Sequence, residues 1–352
     1  MSTYRAVHVV SKGKLELAEK PLLDPPAGHV RIRVEACGVC HSDAITVDGL
    51  LPIQYPRVPG HEAVGKIDVI GPGVEGWHVG QRVGVGFLGG NCGYCEYCRD
   101  GDLVNCTNQA FTGVQHDGGY AEVMIAKASG LISVPDELSS VDAAPLLCAG
   151  ITTFSALRNS PARAGDLVAI FGVGGLGHLG VQYARHMGFE VVAIDQGADR
   201  AELSKKLGAH HYIDGSTSDV AKALEALGGA SVVVATASGG KAVAAALGGL
   251  RRGGVVISLG ATDEPIELSA FELLFKGVGV EGALTGTPSA GDATLRFSAL
   301  SDVAAMVETM PLERAAEALR QDDVRASAFQ DRSHHALGGV ASTSSPNGGH
   351  NE

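Results

Sequence analysis

The segment Leu167–Gly177, which reads LVAIFGVGGLG, decides the fold of the second half of the chain. Apolar residues suited to a buried strand lead directly into the pattern G-x-G-x-x-G, and His178–Met187 continues with the spacing of a helix. In such a unit the first glycine makes the turn, the second admits a pyrophosphate close to the backbone, and the last packs the helix on the strand. The pattern predicts cofactor-binding residues at Gly172, Gly174, Gly175 and Gly177.

The next predicted strand, Val191–Ile194, ends at a carboxylate, Asp195, about 20 residues beyond the first glycine. A carboxylate there accepts hydrogen bonds from both adenosine ribose hydroxyls and repels a 2′-phosphate, which favours NAD over NADP. Arg200 follows nearby and could weaken that repulsion. NADP, and a merely solvated Asp195, therefore stay open as alternatives.

Apolar runs and helical stretches alternate around this unit. Further predicted strands are Val232–Ala235, Val255–Leu259, Val278–Val280 and the short His211–Ile213. Helical spacing is found in Arg200–Leu207, Val220–Leu227 and Lys241–Leu250. This β-α-β alternation predicts a doubly wound parallel sheet, and so an α/β protein.

The first half of the chain has a different character. Predicted strands such as Tyr4–Val10 and Val30–Ala36 are separated by Gly/Pro turns, which indicates an antiparallel, barrel-like β domain. After about Gly286 the alternation stops, and Pro288–Leu319 is predicted to be further helix with one short strand. We expect a catalytic domain over 1–148, with 287–352 returning to it, and a dinucleotide-binding domain over 149–286. The polar tail from about 322 is expected to be poorly ordered.

Composition excludes several classes of function. The chain has 352 residues and a net charge of −12, and no basic stripe offsets that charge, so nucleic acid is not expected as a partner. No window reaches about 18 uninterrupted apolar residues, and the beginning of the chain has no segment typical of a signal peptide. We therefore expect a cytoplasmic protein with no membrane partner.

Four of the seven cysteines lie in one short loop: Cys92, Cys95, Cys98 and Cys106. The odd total argues against a disulfide framework, and four thiolates with two-residue spacers suit a tetrahedral Zn²⁺. Four protein ligands leave no position for water, so the zinc would be structural. An iron–sulfur cluster and four unrelated cysteines are the alternatives. Acidic residues inside the loop disfavour a zinc-finger nucleic-acid module.

A second metal set is dispersed through the chain at Cys40, His61 and Cys148. Two thiolates and one imidazole would leave a fourth position of a zinc ion open for water or substrate, as in a catalytic site. Each residue alone is a weak signal, and their spacing does not show that they converge. Cys37 and Cys40 also form a C-x-x-C pair, but no thioredoxin-like context surrounds it.

These motifs together resemble the zinc-dependent medium-chain alcohol dehydrogenases, in particular the microbial NAD-dependent enzymes. The resemblance runs from about Tyr4 to Leu319 and includes the loop of four cysteines and the glycine turn. The other motifs that carry it are Gly38-Val-Cys40-His41-Ser42-Asp43, Pro59-Gly60-His61-Glu62 and Cys148-Ala-Gly-Ile-Thr152. It implies a GroES-like β-rich catalytic domain joined to a Rossmann cofactor domain.

The resemblance also implies roles for single residues. Cys40, His61 and Cys148 would bind a catalytic zinc, which with the structural ion makes two per chain. Ser42 resembles the hydroxyl that takes the alcohol proton, Asp43 the carboxylate that orients the ligand histidine, and Glu62 the acid behind the metal. Contacts with the cofactor are implied for His41, Thr152 and Arg200. Phe87 and Ile45 would line the substrate pocket.

The implied activity is reversible hydride transfer between an alcohol and NAD through a zinc-bound alkoxide, as in enzymes of class EC 1.1.1.1. Primary or small secondary alcohols, aliphatic or benzylic, are the expected substrates, and a homotetramer is favoured over a dimer. The alternatives are an NADP-preferring aldehyde reductase, a non-catalytic NAD-binding redox sensor and a zinc-free quinone reductase.

Two departures from the family pattern affect these expectations. Ile45 occupies the place where many relatives have a proton-passing histidine. The end of the chain has Val324–Phe329 in place of the usual strand with a phosphate-binding arginine, which predicts weakened NAD affinity.

Overall fold

A computed structural model describes residues 2–236, 239–260, 264–327 and 334–338. The strands are β1 (Thr3–Ser11), β2 (Lys14–Pro21), β3 (His29–Val39), β4 (Ala63–Ile70), β5 (Arg82–Val85), β6 (Val123–Lys127), β7 (Leu131–Ser133), β8 (Leu167–Phe171), β9 (Glu190–Asp195), β10 (His211–Asp214), β11 (Ala230–Ala235), β12 (Leu250–Ser258), β13 (Gly279–Gly282), β14 (Val307–Pro311) and β15 (His334–Gly338). The α-helices are α1 (Ala44–Val47), α2 (Glu96–Arg99), α3 (Ser140–Ala143), α4 (Ala149–Asn159), α5 (Gly177–His186), α6 (Ala198–Lys206), α7 (Val220–Ala226), α8 (Gly240–Gly248), α9 (Ala270–Lys276), α10 (Pro288–Ser301) and α11 (Ala315–Ser327).

The glycine turn lies in the middle of a six-stranded sheet with the order β10-β9-β8-β11-β12-β13. All five strand pairs are parallel. The chain builds outward from β8 to β10 on one side and from β11 to β13 on the other, so the order reverses between β8 and β11. In such sheets ligands bind beyond the carboxyl ends of the strands at this reversal point. The predicted doubly wound sheet is confirmed, including the short strand at His211.

Burial explains why polar and apolar residues do not alternate along these strands. Every residue of β11 is buried, because helices cover both faces of the sheet. The predicted helix Lys241–Leu250 is wrong at its end, since α8 stops at Gly248 and Leu250 begins β12. Glycine disfavours the helix here, and a Cβ at Gly249 would lie 2.6 Å from the Leu224 side chain.

The first half of the chain forms a β-rich domain of the GroES-like kind. A sheet runs in the order β14-β15-β3-β4-β5-β7, with β6 also pairing with β3, and β1 and β2 form a separate antiparallel pair. The pairs are antiparallel except for β14 with β15, which are parallel. A core of apolar side chains from β1, β3, β4, β5 and α11 fills its interior.

The end of the chain contributes one helix and one strand to the described structure. In the segment from about 322, whose poor order stays a prediction, α11 continues to Ser327 and β15 pairs with Ala36–Val39 of β3. The remaining residues of that tail lie outside the described ranges, as do the side chains that would test for a phosphate-binding arginine. The domain limits at 148 and 286 remain predictions.

Helix length bears on the membrane question. Among the described residues, no single helix is long and apolar enough to cross a membrane. One bent pair, Ser140–Leu147 with Ala149–Asn159, meets the length and composition requirement together across a 56° bend. Leu146, Ile151 and Phe154 of this pair are buried in the core.

Candidate functional site

Three distant segments converge at one point of the first domain. Cys40 comes directly after β3 and His61 shortly before β4, and these strands are antiparallel neighbours with Cys37 opposite Ala63. Cys148 precedes the first residue of α4. The Sγ atoms of Cys40 and Cys148 lie 3.8 Å apart. Possible ligand atoms of Cys40, His61, Glu62 and Cys148 all lie within 4.8 Å of one another.

The Asp43 carboxylate holds this cluster together. Its Oδ1 accepts hydrogen bonds from His61 Nδ1 at 2.9 Å and from the Gly60 amide at 3.2 Å. Its Oδ2 accepts from the Tyr120 hydroxyl at 2.7 Å and from the Cys40 amide at 3.2 Å. Asp43 is buried, so four donors compensate for the loss of water around its charge. The interaction fixes the His61 ring with Nε2 directed away from Asp43.

The donor set fits a metal cation. His61 is 1% exposed, and its Nε2 atom has no hydrogen-bond partner, although an isolated buried nitrogen is costly. The same atom belongs to the cluster with the two thiols. Two sulfurs and one imidazole nitrogen are ligands that Zn²⁺ prefers. A cation bound between them would accept the Nε2 lone pair that no donor of the protein uses.

The pKa values show how strongly these groups interact. A hydrogen bond with Cys148 lowers the pKa of Cys40 well below its usual value, while the same contact raises the pKa of Cys148. Burial by itself lowers the pKa of His61, but Asp43 and Cys40 together raise it by more, so that it lies well above the usual value. Thiolate character is therefore available at Cys40, as a metal ligand requires.

Glu62 lies beside the cluster in a space that only a glycine leaves open. The Glu62 side chain is fully buried, and a Cβ at Gly38 would lie 1.6 Å from its Oε2. Gly38 belongs to β3, and the Gly38 amide donates a hydrogen bond to the Glu62 carbonyl at 3.1 Å. The glycine thus allows a carboxylate to approach the back of the cluster.

Tyr120 is a site residue that sequence reasoning missed. Its side chain is completely buried, and its hydroxyl reaches Asp43. A Cβ at Gly60 would lie 2.4 Å from the Tyr120 ring, so the ring packs against the loop that carries His61. The only signal in the sequence is an aromatic residue after two glycines, which has no metal-ligand spacing.

An apolar wall borders the cluster on one side. Phe87 follows β5, which pairs antiparallel with β4, and this pairing brings its ring to 5.1 Å from the His61 ring in an edge-on contact. Phe87 also stacks on Phe111 at 4.5 Å. Ile45 and Leu88 belong to the same small apolar group. The two predicted pocket residues, Phe87 and Ile45, therefore belong to one apolar cluster.

The other predicted contacts lie on the elements that carry the ligands. His41 and Ser42 form a 3-10 turn between Cys40 and Asp43, with His41 exposed and Ser42 half-buried. Thr152 is buried in the first turn of α4, where its amide donates to the Cys148 carbonyl at 2.9 Å. Substrate and cofactor contacts on these residues would thus be tied to the positions of the cysteines.

The loop of four cysteines forms a second, separate cluster. Cys92, Cys95, Cys98 and Cys106 have sulfur atoms within 4.8 Å of one another. Cys95 precedes α2 and accepts from the Cys98 amide at 3.5 Å, while Gly93 and Gly101 adopt positive φ of 78° and 83° that permit the tight loop. Backbone hydrogen bonds, first that of Tyr94, lower the pKa of Cys92 to about 6. Four sulfurs so placed suit a tetrahedral metal ion.

The glycine turn and Asp195 also meet. Gly172 follows β8 with φ of 92°, and a Cβ at Gly177 would lie 1.7 Å from the Gly172 carbonyl oxygen. Asp195 ends β9, where its Oδ2 accepts from the Val173 amide at 2.6 Å and its Oδ1 from the Gln196 amide at 2.8 Å. Arg200 is buried in α6. The carboxylate is therefore fixed next to the turn that would hold a pyrophosphate.

Comparison with known sequences identifies the class of protein. Residues 26–136 match the alcohol dehydrogenase GroES-like domain, and residues 175–300 match the zinc-binding dehydrogenase domain. An alcohol dehydrogenase of Aspergillus sp. is 40% identical over 89% of this chain and 92% of its own length. One from Geobacillus stearothermophilus is 41% identical over 87% of this chain and 92% of its own length.

Solved structures agree with these matches. An acetophenone reductase from Geotrichum candidum in complex with NAD has a TM-score of 0.81 and 27% identity, covering 96% of this chain and 97% of its own. A zinc-binding dehydrogenase from Sinorhizobium meliloti bound to NADP has a TM-score of 0.86 and 26% identity, covering 96% and 100%. The chain belongs to the zinc-binding medium-chain alcohol dehydrogenase family. It is an alcohol oxidoreductase with a GroES-like and a Rossmann domain.

Proposed function

We propose that the protein is an NAD-dependent alcohol dehydrogenase that interconverts small primary or secondary alcohols with their aldehydes or ketones. The observation that carries the proposal is the convergence of Cys40, His61 and Cys148 around a buried imidazole nitrogen with no protein partner. One zinc ion at this position and a second zinc ion at the four-cysteine loop would account for both clusters. Similar proteins that are named alcohol dehydrogenases support this class of reaction.

Zinc bound at Cys40, His61 and Cys148 would act as a Lewis acid that lowers the pKa of an alcohol hydroxyl. The chain supplies the orientation. Asp43 holds the His61 ring through Nδ1, which fixes the tautomer and increases the basicity of Nε2. Ser42, one residue before Asp43 in the same turn, would accept the proton that leaves the hydroxyl.

Phe87 and Ile45 would shape the space for the alcohol. Their apolar group faces His61 across a ring contact of 5.1 Å and excludes water from one side of the cluster. An aromatic ring and an aliphatic side chain favour aliphatic or benzylic substrates over polyhydroxylated ones, because a buried hydroxyl without a partner is costly. The reacting carbon would then be presented to a nicotinamide that packs against Thr152.

The preference for NAD rests on Asp195. Each of its oxygens accepts one backbone amide, which leaves lone pairs for the ribose hydroxyls and retains the negative charge. That charge would repel the 2′-phosphate of NADP. One similar structure contains NAD and another contains NADP, so the carboxylate alone supports the preference for NAD.

A homo-oligomer, with a tetramer favoured, is also proposed. Helix α9 exposes Phe271, Leu274 and Phe275, and Leu284 follows the outermost strand β13, with exposures of 55–77%. Several large exposed apolar side chains beside an open strand edge favour association between copies. A cytoplasmic location is expected because two clusters of free thiols require a reducing compartment.

The test combines metal analysis with a substrate screen. Purified protein should contain two zinc ions per chain and should reduce NAD with a graded series of alcohols, with NADP at least tenfold less effective. A protein with two zinc ions and no alcohol-dependent reduction of either cofactor would contradict the enzymatic function. Activity that survives complete removal of zinc would contradict the proposed metal chemistry.

A further inference from the structure

A surface cleft between α4 and α10 is lined in an unusual way. It has a volume of about 540 Å³ and lies between α4, Met187–Phe189 and α10. Nine of its twelve lining residues are nonpolar, and the other three are arginines: Arg158, Arg163 and Arg296. None of the lining residues is acidic, although the chain carries a net charge of −12. The cleft shares no lining residue with the candidate active site.

The three arginines have no carboxylate as a close partner within the described ranges, where none of them forms an ion pair. Asp292 acts on Arg296 only through its charge. The Arg158 guanidinium lies 5.8 Å from the centre of the Phe154 ring, which is a cation–π distance. Arg163 donates to the backbone carbonyls of Pro161 and Ala162 at 3.1 and 3.0 Å. Their positive charge is therefore available to a ligand.

Two acids near the cleft are held by other partners. Asp292 lies one turn before Arg296 on α10, but its Oδ1 accepts from the Ser133 amide at 2.7 Å. Asp166 forms a two-bond ion pair with Arg251 at 3.0 and 3.1 Å. Neither carboxylate bonds a guanidinium group of the cleft, although Asp166 also accepts from the Arg163 backbone amide at 2.9 Å and the charge of Asp292 acts on Arg296.

The floor between the arginines is apolar. Phe154 and Phe189 are buried, and Phe297 lies 5.2 Å from Phe154 between ring centres. Leu300 stands at the rim and is 83% exposed. An apolar trough of this size with cations at its edge complements a molecule that has an alkyl chain and one anionic end.

We infer that this cleft binds a free long-chain carboxylate, with the alkyl chain on the phenylalanine floor and the carboxylate between Arg158 and Arg296. Arginine suits such a ligand because its planar fork pairs with both carboxylate oxygens. The occupant packs on α4, the helix that begins after Cys148. The inference does not depend on the proposed reaction, because none of the cleft residues takes part in it.

The experiment is calorimetric titration of the zinc-loaded protein with dodecanoate below its micelle concentration. We expect one saturable site, with an affinity that falls about tenfold when the chain is shortened by two methylenes. Arg296→Glu and Arg158→Glu should each weaken binding at least tenfold. Two controls should stay within twofold of the wild type: Arg252→Glu, the same charge change at an exposed arginine elsewhere, and Phe87→Ala in the substrate pocket.

Four results would overturn the inference. These are no saturable binding, an equal loss in Arg252→Glu, a loss confined to Phe87→Ala, or equal affinity for dodecyltrimethylammonium, whose charge is opposite. Sedimentation of the arginine variants is a further check. If they dissociate an oligomer and do not change dodecanoate binding, the cleft is a contact between copies of the chain. Both arginines are exposed, so the variants should fold, and Arg296→Gln provides a milder substitution.

Discussion

The Tyr120 hydroxyl donates a 2.7 Å hydrogen bond to Oδ2 of Asp43, a carboxylate whose other oxygen holds His61. The tyrosine thus acts on the metal cluster through one intermediate residue. Both partners are buried, so water cannot replace the bond if it is removed. Tyr120 is a positioning residue for the imidazole.

The first prediction concerns Tyr120→Phe. Loss of a hydrogen bond to a buried carboxylate should reduce the free energy of unfolding by about 1.5–3 kcal/mol. Because Asp43 then holds His61 less firmly, zinc affinity at the catalytic cluster should fall about 10–100-fold. This affinity is measured by competition with a chelator, with residual activity and zinc content as the two readouts. Tyr183→Phe is the matched control, since that buried hydroxyl bonds Ser298 at 2.8 Å rather than Asp43. Equal zinc affinity in both variants would refute the positioning role.

The candidate site could be predicted from the sequence only in part. The sequence contains the motifs at Cys40, His61 and Cys148, but their convergence depends on the antiparallel register of β3 and β4 and on the packing of the segment before α4. Spacing along the chain contains no such register, so only the family resemblance suggested it. The role of Tyr120 could not be predicted, because it depends on the direction of one hydroxyl group, which no residue pattern encodes.

The fold was more predictable in its second half than in its first. The strands β8, β9 and β11 are continuous apolar runs, since both faces of each are buried, and such runs are visible in a sequence. The antiparallel pairing of β15 with β3 is not predictable in this way, because β3 lies nearly three hundred residues earlier along the chain. A sheet contact over that separation leaves no local signal.

The second prediction concerns Gly38→Ala. A methyl group at this position would lie 1.6 Å from Glu62 Oε2, so the carboxylate must move in a fully buried space. Overpacking of this kind should cost about 1–3 kcal/mol of stability and lower turnover. Urea unfolding and steady-state rates measure the two effects. Gly279→Ala, where no heavy atom lies within 4 Å, is the control. If shortening the acid in Gly38→Ala/Glu62→Asp restores neither quantity, the contact is not the cause.

The third prediction is a pH dependence at Asp117. Burial by itself raises its pKa, but hydrogen bonds from Lys20 and the Val58 amide, together with Arg57, lower the pKa below its usual range. A carboxyl with a lower pKa in the folded state stabilises the protein above its unfolded pKa, and this contribution is lost as the pH falls through the folded value.

Asp117→Asn should therefore reduce the free energy of unfolding at pH 7 by about 1 kcal/mol, a figure kept small because the carboxyl is partly exposed. The difference from the wild type should narrow as the pH is lowered from about 4. Urea unfolding at several pH values measures it. Asp136→Asn, at an exposed acid, should show no such change. A constant difference down to pH 3 would mean that Asp117 does not titrate as described.

The fourth prediction concerns cofactor choice at Asp195. Replacement by serine removes the charge that would bind the ribose hydroxyls of NAD and repel a 2′-phosphate. We expect kcat/KM for NAD to fall about 10–100-fold, the loss for charged hydrogen bonds, and kcat/KM for NADP to rise. Asp219→Ser removes a helix-capping carboxylate elsewhere in the domain. It should leave the ratio of kcat/KM for NAD to kcat/KM for NADP unchanged. An Asp195→Ser ratio within twofold of the wild type would assign the carboxylate a purely structural role, through its bond to the Val173 amide.

The last prediction concerns the proton at Ser42. This serine lies in the turn between Cys40 and Asp43, and it is half-buried, so its hydroxyl has limited access to solvent. Ser42→Ala should reduce kcat about 10²–10⁴-fold, as for other positioned acid–base groups, without loss of zinc. Ser42→Thr keeps a hydroxyl and should retain most of the rate.

The Ile45 side chain cannot carry the proton onward. Ile45→His should therefore increase turnover in the wild-type background under conditions where proton release limits the rate. The same change should have no effect in the Ser42→Ala background. Equal benefit in both backgrounds would show that the proton leaves by a route that does not include Ser42.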